Sequence, residues 1–176
     1  EDTTSILTGF TVQNGYGPFD GGGISCSNYS SPTLENLQVI NNIAPSGGGI
    51  ACNTSSAIIK NSTVSNNTSL NGAGGIYLWN ASPQIENVLI ANNTGSAIGC
   101  DQNSSPILRF VTIVGNDQTG ISAQQESNPI EHYVNALIPC IWLFVGSIFI
   151  NLSTRPCQIS GIRNGNRNIG AIDHHC

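Results

Sequence analysis

Gly47-Gly48-Gly49-Ile50-Ala51-Cys52 decides how this chain folds, because the same phrase has already occurred 26 residues earlier as Gly21-Gly22-Gly23-Ile24-Ser25-Cys26. Looser copies follow at Gly74–Leu78 (Gly-Gly-Ile-Tyr-Leu) and Ser96–Cys100 (Ser-Ala-Ile-Gly-Cys). Between the copies other signals recur in fixed order. They are a Ser-Pro pair (Ser31-Pro32, Ser82-Pro83, Ser105-Pro106), an apolar triplet, and an Asn-rich turn (Asn41-Asn42, Asn66-Asn67, Asn92-Asn93). Val12, Val39, Val64, Ile90 and Ile113 hold equivalent places, at separations of 27, 25, 26 and 23 residues. A repeat of this length is a supersecondary unit that cannot close a core alone and must stack on its neighbours.

Each repeat contains three short apolar pieces separated by turn residues. The first is Gly-Ile-x-Cys, the second centres on Leu7, Leu34, Ile59, Ile85 and Leu108, and the third on Val12 and its equivalents. In Leu37-Gln38-Val39, Val88-Leu89-Ile90 and Val111-Thr112-Ile113 the first and third residues point the same way, which is strand periodicity; no window is long enough for a helix. The expected fold is therefore all-β. It is a parallel β-helix with three short strands per coil and about five regular coils, each strand pairing with its counterpart about 4.8 Å away. The Gly triplets are expected to supply positive φ at a sharp corner. Residues 1–129 read as the regular coils, and 130–176 as irregular coils or a cap holding the apolar segment Leu137–Ile150. That segment is shorter than the roughly 20 apolar residues a membrane span requires. It also carries Pro139 and is rich in β-branched and aromatic residues, so a buried strand is expected and no membrane span.

Stacking turns equivalent positions into columns. Asn14, Asn41, Asn66 and Asn92 form one, and Asn36, Asn61 and Asn87 another; stacked amides can hydrogen-bond along the axis, while Asn is also a good turn former. A third column reads Glu35, Lys60, Glu86, Arg109, with signs alternating through four successive coils, and His132 falls in the same place. Opposite charges on neighbouring strands support pairing by roughly 0.2–1 kcal/mol each, so this is expected to be a stacking device. Cys26 and Cys52 share an inward position with Leu78 and Cys100, which makes buried thiols the expectation there. Cys140, Cys157 and Cys176, in less repetitive sequence, are the candidates for disulfides.

Composition removes several classes of function. The net charge is −5, and the only cations besides histidine are Lys60, Arg109, Arg155, Arg163 and Arg167. No basic stripe exists for nucleic acid. Only 9% of residues are charged while 39% are apolar and recur on a schedule, which fits neither a helical bundle nor disorder. The chain contains no methionine, as a secreted chain after leader removal or an excised fragment would. Nine Asn-x-Ser/Thr sequons occur, at Asn28, Asn53, Asn61, Asn66, Asn67, Asn80, Asn92, Asn103 and Asn151. Asn28, Asn53, Asn80 and Asn103 all follow the Gly-Ile strand at one loop, so they are the candidate glycosylation sites, expected to project outward.

The GGGI boxes at Gly21–Ile24 and Gly47–Ile50, with the Ser-Pro and Asn-Asn turns over about residues 5–129, resemble the right-handed parallel β-helix repeat proteins of the broad pectate-lyase-like superfamily. The boxes are similar to those of polymorphic outer-membrane proteins and other autotransporter passengers. Those families also use Phe-x-x-Asn, whereas here Phe10 and Asn14 stand one residue too far apart. The ending Arg167–Asp173 resembles the closing motif of many secreted bacterial β-helix proteins, with Asn168 in place of an acid. The resemblance implies a fold that hosts lyases, hydrolases, adhesins and coat proteins alike. Lyases of this kind hold acidic calcium ligands beside an Arg or Lys base, and the related hydrolases use close Asp pairs. Here Asp20, Asp101, Asp117 and Asp173 fall apart in the repeat, and neither Asp-Asp nor Gly-His-Gly occurs. The tail Asp173-His174-His175-Cys176 with Cys157 reads as a chain end, not a metal site. No catalytic residue, metal or cofactor is expected.

The function expected from these readings is a non-catalytic extracellular or cell-surface structural protein: a β-helical rod, bearing N-linked sugar if glycosylated, that assembles head to tail with itself. The alternative is a secreted carbohydrate-binding or polysaccharide-cleaving β-helix, or an adhesin passenger fragment.

Overall fold

The structure, a computed structural model, describes residues 5–132, 134–137, 140–145 and 148–153, with side chains described for 5–130 and Val134. It is a parallel β-solenoid. The first coil contributes β1 (Ile6–Thr8), β2 (Thr11–Gln13) and β3 (Ile24–Cys26). The second adds β4 (Thr33–Glu35), β5 (Gln38–Ile40), β6 (Ile43–Ala44) and β7 (Ile50–Asn53). In the third, β8 (Ile58–Ser65) and β9 (Thr68–Trp79) run on where the earlier coils break, and β10 (Gln84–Ala91) and β11 (Thr94–Asp101) make the fourth. The fifth holds β12 (Ile107–Arg109), β13 (Thr112–Val114) and β14 (Ile121–Ala123). β15 (Ile130–His132) and β16 (Asn135–Leu137) then add in parallel register to β12 and β13, so stacking runs past residue 129. β17 (Cys140–Val145) and β18 (Ile148–Ser153) leave the pattern and pair antiparallel with each other.

Inside the coils the alternation read from sequence becomes three apolar columns. Leu34, Ile59, Ile85 and Leu108 stack from one wall; Val39, Val64, Ile90 and Ile113 from the next; Ile50, Ile76, Ile98 and Ile121 from the third. All are buried. Burying side chains of this size contributes roughly 1.5–3 kcal/mol each, and it is spread evenly because every coil presents the same face.

The Asn pairs divide their work. The first Asn of each pair (Asn41, Asn66, Asn92, and Asn14 alone in the first coil) is exposed and takes φ between 54° and 58°, the left-handed bend that Asn tolerates better than other side chains. The second turns inward. Asn42, Asn67, Asn93 and Asn116 are almost wholly buried and bond to one another along the axis. Asn67 Oδ1 accepts from the backbone N and the Nδ2 of Asn42, both at 3.0 Å, and Asn67 Nδ2 donates to Asn93 Oδ1 at 3.1 Å and to the Val39 carbonyl at 2.9 Å. All four bonding valences of the amide are met, as burial demands. The Asn14 column is thus made of turn formers, and the amide ladder lies one residue further on. Along the Asn36 column, Asn87 donates to Asn61 Oδ1 at 2.9 Å on the exposed surface.

The glycine boxes are only partly about φ. Gly47 takes φ +61°, as a corner requires, but Gly48 and Gly49 are glycine for lack of room. The Ser-Pro corners carry a second ladder. Ser56 N donates to Ser31 Oγ at 3.2 Å, Ser82 N to Ser56 Oγ at 3.0 Å, and Ser105 N to Ser82 Oγ at 3.0 Å.

Candidate functional site

The parallel registers set Glu35 beside Lys60, Lys60 beside Glu86, Glu86 beside Arg109 and Arg109 beside His132. Among the described residues one ion pair closes within this column, Lys60 Nζ to Glu35 Oε2 at 3.4 Å. Asn61 Nδ2 adds a bond to Glu35 Oε1 at 3.4 Å. Opposite charges on neighbouring strands favour this register.

The four chosen sequons share a corner but not a register. Asn28 precedes Thr54, Asn80 and Gln102 in the stack, whereas Asn53 lines up with Trp79 and Asp101, and Asn103 falls one place later. Asn28, Asn80 and Asn103 are exposed. Asn53 is half-buried, and its Nδ2, the atom a glycan would need, donates to Asp20 Oδ2 at 3.3 Å. The corner loops differ in length by a residue, which the sequence shows once the Cys columns are aligned. Cys26, Cys52 and Cys100 are buried and in no disulfide. The Cys52 thiol is pushed well up by its hydrogen bond to Cys26 and by burial, so it is a poor nucleophile. The side chain of Cys140, together with Cys157, Cys176 and the tail from Asp173, lies outside the described residues.

A groove with converging polar groups arises from a step in corner length. Between the Asn ladder and the third wall the path takes 8 positions from Tyr16 to Ile24, 7 from Ile43 to Ile50 and 8 from Thr68 to Ile76. It takes only 4 from Thr94 to Ile98 and 4 from Asp117 to Ile121. The long corners end at the third coil and overhang the two coils that follow. Under this ledge lies a groove of about 260 Å³. Ser46, Asn71–Ala73, Asp101 and Gln124 are among the residues that line it. Tyr77 lies in register with Gly99, and its ring reaches over it: a Cβ on Gly99 would stand 3.4 Å from Tyr77 Cδ2 and 3.1 Å from the Ala73 Cβ.

Tyr77 hydroxyl donates to Asp101 Oδ2 at 3.1 Å. Burial first, then the charges of Asp101 and Asp20, hold its phenol far above the ordinary value of 10.0. The chain thus brings Asp20, from the first coil, and Asp101, from the fourth, within electrostatic reach of one tyrosine, although the sequence sets them far apart. The two buried side-chain oxygens without a hydrogen-bond partner among the described residues, Asn53 Oδ1 and Asp101 Oδ1, stand in this same register column, on either side of Trp79. No group of three or more His, Cys, Asp or Glu able to hold a metal forms among the described residues. Held protonated, the Tyr77 phenol can donate a hydrogen bond but not take up a proton, and Asp101 is the carboxylate in the groove's lining.

No helix among the described residues is long and apolar enough to cross a membrane. No curated protein matches the chain, and no solved structure does. Residues 4–170 match the family described as the right handed beta helix region. That match covers nearly the whole chain and agrees with the stacked parallel strands and inward ladders: the chain belongs to the right-handed β-helix family.

Proposed function

We propose that this chain is a non-catalytic, extracellular structural protein, a β-helical rod that extends by adding copies of itself head to tail. One observation carries the reading. Each coil from the second to the fifth takes its neighbours in one parallel register, so the pairing that joins coils within a copy is the pairing that would join one copy to the next. Gln38 N donates to the Phe10 carbonyl at 3.0 Å and Thr63 N to the Leu37 carbonyl at 2.9 Å, so by the same register Thr11 N points out of the first coil. Donors and acceptors set in one repeating register are a template for another strand, and a head-to-tail contact that does not close a ring grows into a filament. The exposed sequons Asn28, Asn80 and Asn103 support a surface location, with sugar on that corner.

The test is Thr11→Pro, which removes the outward donor while keeping every bond to the second coil. Light scattering should show the parent chain growing into long particles and the variant remaining small with unchanged circular dichroism. Equal growth of both would sink the edge contact. Release of new reducing or unsaturated ends from pectin or alginate would replace this reading with the enzymatic alternative.

A further inference from the structure

The groove under Tyr77 has a chemical bias that a rod does not need. Its lining includes one carboxylate, Asp101, the amides of Asn71, Gln118 and Gln124, several hydroxyls, and no lysine, arginine or histidine. Lys60 and Arg109 stand on β8 and β12, in the other sheet. Asp101 has no ion-pair partner among the described residues. Its Oδ2 accepts from the Tyr77 hydroxyl, while Oδ1 is buried without a partner. Asp101 Oδ1 therefore lacks a donor, and no cationic side chain lines the groove to supply one. The elevated Tyr77 phenol reports the same thing, since Asp101 and Asp20 both contribute to the negative potential it feels. Aromatic surface lies beside the carboxylate: Tyr77 in the wall, and Trp79, in register with Asp101 and 42% exposed.

We propose that this groove binds an alkylammonium group, with Asp101 as its counter-charge, the groove's hydroxyls and amide oxygens as further acceptors, and the Tyr77 ring as a cation–π face. Each part has a stated reason. A cation beside a carboxylate that has no ion-pair partner gains a charge-assisted hydrogen bond, and a tyrosine face attracts it through the negative potential over the ring. A volume of about 260 Å³ admits an alkyl chain ending in an ammonium, not a folded domain. The group arrives on a free polyamine or on a lysine side chain of a partner protein; the chemistry at Asp101 is the same. A neutral saccharide is the competing occupant, since it would use the amides without needing the carboxylate's charge.

Calorimetric titration of the full chain separates these occupants, using spermidine, the peptide acetyl-Lys-Gly-Lys-amide and the neutral trisaccharide cellotriose as probes. The amines should bind, lose affinity with added salt, and weaken about tenfold in Asp101→Asn, which keeps the shape and removes the charge. Preference for spermidine assigns the site to free polyamines; equal or tighter binding of the peptide assigns it to a protein's lysine. Gln124→Lys, which tethers a competing ammonium at the groove wall, should abolish amine binding and keeps the proposal testable if Asp101→Asn fails to fold. Amine binding that both variants leave untouched, no amine binding at all, or cellotriose binding in place of the amines would overturn it.

Discussion

The amide of Asn67 fills the space that a side chain on Gly49 would need: a Cβ there would stand 2.9 Å from Asn67 Nδ2 and 2.7 Å from Val64 Cγ1. One coil earlier Gly23 stands in the same relation to Asn42, at 2.8 Å from its Nδ2. The glycine box and the Asn pair, two separate motifs in the sequence, are therefore two halves of one packing unit. The third glycine of each box lets the corner close onto the ladder.

Gly49→Ala should accordingly destabilise the protein by about 2–3 kcal/mol, more than the entropy gained by losing a glycine, because both neighbours are buried and fixed. Urea denaturation measures it. A stability within 0.5 kcal/mol of the parent, about the scatter of harmless surface changes, would show that the ladder can move aside.

Neighbouring residues in one pair should behave oppositely. Asn67→Ala strands the Asn42 donors and the Val39 carbonyl in the interior, at a cost of about 3 kcal/mol or more. Asn66→Gly keeps the left-handed bend at an exposed position and should cost less than about 1 kcal/mol. Chemical denaturation of the two variants side by side checks the assignment of the ladder; equal losses would contradict it.

Lys60→Glu would put three carboxylates in successive coils, between Glu35 and Glu86. The expected loss is about 1 kcal/mol at low ionic strength, shrinking in molar salt as the surface charges are screened. A loss that salt leaves unchanged would mean that the alternating charges do not act through the stacked register.

Tyr77 makes alkaline stability a readout of the groove. Its phenol ionises less readily folded than unfolded, so its contribution is complete below the ordinary value of 10.0 and is lost as pH rises above it. Tyr77→Phe should cost about 1 kcal/mol at neutral pH through the missing bond to Asp101. It should also make stability fall less steeply above about pH 10. Denaturation curves between pH 8 and 11 that fall in parallel for both proteins would contradict the placement.

The repeat made the coils legible because stacking converts spacing directly into contact: Val12, Val39, Val64, Ile90 and Ile113 align in sequence and in space. The charge column followed from the same alignment. The ladder was legible in composition but displaced by one residue, since Asn66 and Asn67 look alike until the backbone bends at the first and turns the second inward. The groove was not legible. It depends on a change in corner length between Thr68–Ile76 and Thr94–Ile98, which reads as a weakened repeat, and on the bond across coils from Tyr77 to Asp101. The sequons misaligned because they stand at different distances past the Cys column: Asn53 follows Cys52 directly, Asn28 and Asn80 stand two past Cys26 and Leu78, and Asn103 three past Cys100.

Electron microscopy of the pure, concentrated chain tests the central claim most directly. The account predicts unbranched filaments that diffract at about 4.8 Å along their axis, the spacing between coils, because each copy continues the stack of the last. A population of single, short particles that stays monodisperse as concentration rises would contradict it.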